Sequence, residues 1–180
     1  MFLAVSYRNI SVVHAATRTE APMLHLDGSS FSGSGTIVRF GLPLAALTGQ
    51  ALHLTNIRAR RASPGLRPQH LKAVQAVTQL CQGSLEGAAV GSRELIFRPG
   101  RVPQGGRFRW DIGTAGSTTM LAFALLPLAA LAPGMSEWRM PQVTDHVHTN
   151  ILLVETILGA EAHIDGPYLR VQGVGYTSPY

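Results

Sequence analysis

Residues 23–49, MLHLDGSSFSGSGTIVRFGLPLAALTG, decide the architecture. Met23 to Leu26 reads as a short strand. The small, polar stretch DGSSFSGSG follows, and then an apolar helix from about Thr36 to Leu47, closed by Gly49, where a left-handed residue ends a helix most easily. Working outward, ALHLTNIRA (51–59) alternates as a second strand. RASPGLRP (61–68) is a loop with two prolines ahead of a helix from Gln69 to Cys81. Strands are expected near Ser84–Ala89 and Glu94–Arg98, which completes one βαβαββ unit.

The same order then begins again. GGRFRWDIG (105–113) is a strand, TAGSTT (114–119) a small-residue turn, and Thr119 to Leu131 a helix stopped by Pro133 and Gly134. EWRMPQVTDHV (137–147) reads as a strand with Pro141 at an edge or bulge. Thr149–Leu158 is a helix, and AEAHID with YLRVQG closes the unit as a hairpin. The fold class is therefore α/β, two βαβαββ repeats with helices packed on mixed sheets. Residues 1–22 read as a poorly ordered leader, 23–104 as the first unit, 105–173 as the second and 174–180 as a tail.

A chain of 180 residues with 46% hydrophobic and 14% charged residues can bury a core, so disorder is not expected. The net charge of +5 is carried almost wholly by arginine, since Lys72 is the only lysine. A guanidinium fork suits phosphate better than an ammonium does, which points to nucleic acid or nucleotide; codon usage in a GC-rich genome explains the bias equally well. Cys81, the single cysteine, excludes an intramolecular disulfide and is expected to be a buried thiol in a cytoplasmic protein. The longest apolar run, Met120–Leu131, is shorter than the roughly 20 residues a membrane span needs, so no membrane is expected as a partner.

Arg39, Arg58, Arg61 and Arg67 cluster around the first Gly-rich segment and the 61–68 loop. Converging guanidiniums need anions or water to meet them, so the set reads either as a phosphate site or as a solvated basic edge. Gln69 and His70 open the second helix as phosphate donors or as helix-start polar residues. Thr114 and Ser117 stand at the start of the helix after TAGSTT, where free backbone N–H groups attract anions or are simply capped.

NIRARRASPGLRPQHLKAVQAV (56–77), LEGAAVGSRELIFRPG (85–100) and DIGTAGSTT (111–119), in that order and spacing, resemble the N-terminal half of RNA 3′-terminal phosphate cyclases. DHVHTNILLVETILGA (145–160) resembles the family's C-terminal stretch, with the middle of the usual enzyme absent. The resemblance runs from about Leu24 to Val171. It implies repeats like the C-terminal domain of translation initiation factor three. It also implies an ATP-dependent conversion of an RNA 3′-phosphate to a 2′,3′-cyclic phosphate through AMP on a histidine, here His146, with His148 a weaker candidate.

By the same resemblance, Arg39, Arg58, Arg61, Arg67, Gln69, Thr114 and Ser117 surround phosphate or RNA, and ATP and magnesium are the cofactors. Two positions depart from the family. Ser32 stands where the family carries a glutamate linked to metal binding, and Phe123 where it carries a glutamine that holds the nucleotide; no protein residues are assigned to a metal. The expected partners are RNA 3′ ends and ATP, with a homodimer as one way to complete the site. Three readings follow: a reduced cyclase, a non-catalytic protein that binds RNA ends, or a folded deletion relic of the family.

Overall fold

The computed structural model describes residues 23–30, 32–110, 115–139, 145–165 and 167–175. Its first half runs β1 (Leu24–Asp27), α1 (Thr36–Thr48), β2 (Leu52–Thr55), α2 (Pro68–Leu80), β3 (Ser84–Glu86) and β4 (Leu95–Arg98). The second runs β5 (Gly106–Arg109), α3 (Ala115–Leu131), β6 (Pro133–Arg139), α4 (Asp145–Leu158), β7 (Glu161–Asp165) and β8 (Tyr168–Val174). The sheet orders are β1-β2-β4-β3 and β5-β6-β8-β7, one topology used twice. In both, the first two strands pair in parallel across a helical crossover, and the remaining pairs are antiparallel.

One apolar core spans both units. Val38, Leu42 and Ala45 of α1, Val74 and Val77 of α2 and Leu125 and Leu128 of α3 are all essentially inaccessible to solvent. The segment of α3, AGSTTMLAFALLPLAAL, is apolar on every side, which only a helix enclosed by protein can tolerate. It packs against α1, α2 and α4. Trp110, just past β5, stacks on Phe108 with ring centroids 5.1 Å apart and donates from Nε1 to Gln79 Oε1 of α2 at 2.8 Å. Cys81 is buried, and burial pushes its thiol pKa up. No helix among the described residues is long and apolar enough to cross a membrane.

Several expected boundaries move. β2 stops at Thr55, because Asn56 and Arg58 take positive φ values of 50° and 54° that end the extended run. β3 stops at Glu86, ahead of Gly87 at φ 72°. The TAGSTT segment is no turn over its described part: α3 begins at Ala115, and Thr118 and Thr119 are buried. Burial of Thr118 and Thr119, with the rest of the apolar helix enclosed by its neighbours, outweighs the weak helix preference of these small residues. Pro133 and Gly134 open β6 directly.

The strand expected over 137–147 is also corrected. β6 ends at Arg139, residues 140–144 lie outside the described set, and Asp145 begins α4. His146 and His148 are thus on a helix, where residues two apart do not share a face. The signal was present in the sequence: Val147, Ile151 and Val154, at i, i+4 and i+7, are the positions α4 buries.

Candidate phosphate-binding crevice

The candidate crevice is the junction where the N-termini of α1 and α2 meet, His70 packing on Gly35; the cavity that Ser32, Ser34 and Thr36 line is walled mainly by apolar groups, among them Leu26, Ile37, Phe40 and Leu44. The floor of the junction is the Gly33–Ser34–Gly35 segment, buried at all three residues. Gly33 has φ 53°, and the Arg60 stem passes so close that a Cβ there would lie 2.6 Å from Arg60 Cγ. A ladder of hydroxyls runs along the segment. Ser32 Oγ is 2.8 Å from Ser34 Oγ, and Ser34 Oγ donates to Thr36 Oγ1 at 3.0 Å. Arg39, one helical turn on, donates from Nη2 to Thr36 Oγ1 at 3.1 Å, and its partial burial lowers the guanidinium pKa.

The opposite wall is the 56–67 loop. Ile57 and Leu66, both fully buried, anchor its two ends, a burial worth about 1.5–3 kcal/mol for each side chain. Backbone bonds from Ile57 N to Arg93 O and from Leu66 N to Ser92 O tie it to the 91–93 turn, each at 2.9 Å. Arg58 Nη1 donates to Ser63 O at 2.6 Å and to Gly65 O at 2.9 Å. It therefore staples its own loop, and a guanidinium has further N–H groups beyond that nitrogen. Its pKa is lowered, first by burial and then by Arg67 and Arg61.

His70 closes the crevice. Pro68 opens α2 with its fixed φ, and the N–H of Arg67 just before it donates to His70 Nδ1 at 3.2 Å. That bond assigns the imidazole proton to Nε2, which faces Gly35. The ring is 4% exposed, and its pKa is pushed down to about 4, by burial first and then by Arg58, Arg39 and Arg67. At neutral pH it is an uncharged donor held among three cations. A cluster of cations of this kind favours an anion with several oxygens.

Arg39, Arg58 and Arg67 are thus brought together around His70, with Arg61 exposed beside Arg58 and Gln69 exposed in the first turn of α2. Thr114 lies outside the described residues, as do the side chains of Ser117 and His146. His148 is exposed on α4. Sequence reasoning gave the Ser34–Thr36 hydroxyls no role and left His70 undecided. The alternating S-x-S-x-T spacing of residues 32–36 was the available signal.

A bare divalent cation does not suit this crevice, whose described donors are hydroxyls and cationic nitrogens. Among the described residues, no three His, Cys, Asp or Glu side chains gather into a metal cluster. Asp27 is held below the usual carboxylate range chiefly by bonds from the backbone and hydroxyl of Ser29, then by Asn56. Phe123 is half-buried beside an apolar groove of about 500 Å³ on α4, lined in part by Leu152, Leu153 and Ile157.

A family model described as RNA 3′-terminal phosphate cyclase matches residues 30–132, more than half of the chain and the whole of the α1/α2 junction described above. The chain belongs to the RNA 3′-terminal phosphate cyclase family. It is 47% identical over 123 residues to the RNA 3′-terminal phosphate cyclase of Pyrococcus furiosus, covering 68% of this chain and 36% of that protein. With the cyclase of Nitrosospira multiformis it shares 41% over 151 residues, covering 79% of this chain and 42% of that protein. This cyclase-family chain therefore spans about two fifths of the length of these relatives. An EPSP synthase structure from Acinetobacter baumannii overlays 88% of it, and 31% of that synthase, with a TM-score of 0.54 at 17% identity, a likeness of fold alone.

Proposed function

We propose that the chain binds RNA 3′-phosphate ends in the α1/α2 crevice and that this site serves ATP-dependent cyclisation of the end. The carrying observation is the gathering of Arg39, Arg58 and Arg67 about an uncharged, buried His70. The terminal phosphate would accept from the guanidiniums and from the hydroxyls at Ser34 and Thr36, which hold it in register for reaction. In the chemistry that the resemblance of the DHVHTN segment implies, a nitrogen of His146 would attack the α-phosphorus of ATP as pyrophosphate leaves. AMP then passes to the RNA phosphate, and attack by the neighbouring 2′-hydroxyl expels AMP.

A second reading, binding without turnover, is favoured by two positions. Ser32 offers a hydroxyl already engaged with Ser34, and Phe123 offers a ring where the family places a nucleotide-holding amide. Loss of one group that stabilises transition-state charge costs about 10²- to 10³-fold in rate, so under the first reading the chemistry is expected to be slow. One pair of experiments decides. RNA ending in a 3′-phosphate should bind about tenfold or more tightly than RNA ending in a hydroxyl, as loss of charge-assisted bonds implies. A single-turnover assay with ATP, magnesium and the phosphorylated RNA is then compared with His146→Ala. Cyclisation that disappears in the variant supports the enzyme; equal background in both supports the binding protein, and equal affinity for the two RNAs overturns the proposal.

A further inference from the structure

The open face of the first sheet, on the side away from the helices, carries a second group of side chains with a different chemistry. β1 and β2 pair in parallel, with His25 directly opposite His53. The two Nδ1 atoms are 3.3 Å apart, and the ring centroids are 5.2 Å apart at an interplanar angle of 71°. His53 Nε2 lies 2.5 Å from Glu94 Oε1, just before β4. We propose that His25 and His53 are a two-imidazole site for a tetrahedral divalent cation of the Zn²⁺ type, with Glu94 as the carboxylate that orients His53.

Three observations converge on this site. Two nitrogens bound at 2.0–2.1 Å to one tetrahedral ion stand about 3.3–3.4 Å apart, and square-planar or octahedral positions would bring them to about 2.8–3.0 Å. Two imidazoles sharing such an ion have centroids about 5.2 Å apart, whereas rings in a straight N–H···N bond of this length have them at about 5.6 Å. Both measured separations match those of a shared tetrahedral ion, and in its absence the same N···N distance is that of a hydrogen bond between the two rings. Glu94 supplies the third observation. Its carboxylate accepts a hydrogen bond from Nε2–H of His53, which leaves the Nδ1 lone pair turned to His25, the arrangement in which a carboxylate fixes the tautomer of a metal-binding histidine.

The site is open. His25 and Glu94 are exposed and His53 is half-buried, so water or an outside ligand fills the remaining two positions. The ion would bridge β1, an edge strand, to β2. A cation that binds only the folded sheet raises the unfolding temperature in proportion to the logarithm of its concentration over Kd.

The test uses Zn²⁺ alone with the full chain, measured by competition against a chromogenic chelator and by thermal unfolding with and without a chelator. One equivalent should bind saturably and raise the unfolding temperature, and both effects should vanish in His25→Ala and His53→Ala. Far-ultraviolet circular dichroism checks that these variants fold. Glu94→Gln keeps both imidazoles and should weaken binding by about 10- to 100-fold. Saturable binding that survives in His25→Ala/His53→Ala, or no saturable binding below about 1 mM, overturns the site; unchanged affinity in Glu94→Gln overturns the role of Glu94.

Discussion

A methyl group added at Gly35 would lie 2.1 Å from Nε2 of His70, well inside van der Waals contact. The absence of a side chain at the start of α1 is what allows the ring from α2 to close the crevice. The two helices are coupled at this point: Gly35 admits the ring, and the N–H of Arg67 fixes its orientation.

Gly35→Ala should therefore overpack the junction and destabilise the fold by about 1–3 kcal/mol. His70→Ala alone removes the ring that would clash. In Gly35→Ala/His70→Ala the loss should be clearly smaller than the sum of the two single losses, as contacting residues show in a double-mutant cycle. Urea unfolding of the four proteins measures this, and simple additivity would mean that the two residues do not meet.

His70 also makes stability depend on pH. Its folded pKa of about 4 lies below the ordinary value of 6.5. Between those values the unfolded chain binds more protons, so the contribution is present in full above about pH 6.5 and is lost as pH falls toward 4. The urea midpoint of the natural chain should fall more between pH 7.5 and pH 5 than that of His70→Gln. Parallel curves would show that the ring is readily charged where it sits.

Arg58 combines two roles that substitution can separate. Arg58→Ala should lower thermal stability, since the bonds to Ser63 O and Gly65 O disappear. It should also weaken binding of 3′-phosphorylated RNA by about 10- to 100-fold and reduce the salt dependence by about one unit of slope. Arg58→Lys should keep the slope while losing part of the loop anchorage, because an ammonium cannot reproduce the fork. A salt slope unaltered by Arg58→Ala would assign Arg58 to the loop alone.

Ser32→Glu tests the departure from the family at the mouth of the crevice. If that carboxylate is what ATP use lacks here, magnesium-dependent labelling of the chain by ATP should rise by about tenfold or more, part of the ~10²–10³ such a group can contribute. Labelling unchanged in Ser32→Glu would place the limitation elsewhere, with Phe123 next in line.

Much of the fold was legible because its signals are local. Leu52 and Leu54 alternate into the core, α1 ends on Gly49 at φ 68°, and Pro68 opens α2. Local pattern failed where packing overrode it. Small residues at 115–117 suggested a turn, yet α3 continues through them because neighbouring helices enclose it. Residues 145–147 read in sequence as the end of the strand over 137–147, although the burial of Val147 with Ile151 and Val154 follows the helical period.

The sequence by itself determined the repeated order of strands and helices, the family motifs and the excess of arginine, since each is a property of neighbouring residues. Tertiary structure alone decided which arginines act together. Arg39 and Arg58 belong to different elements, and only the joining of two helix starts brings both to His70. It also decided what His70 is: an imidazole at position 70 titrates in the ordinary range until burial and three guanidiniums hold it neutral. Charge state and proximity depend on the surroundings of a group, and those surroundings come from residues far away in the chain.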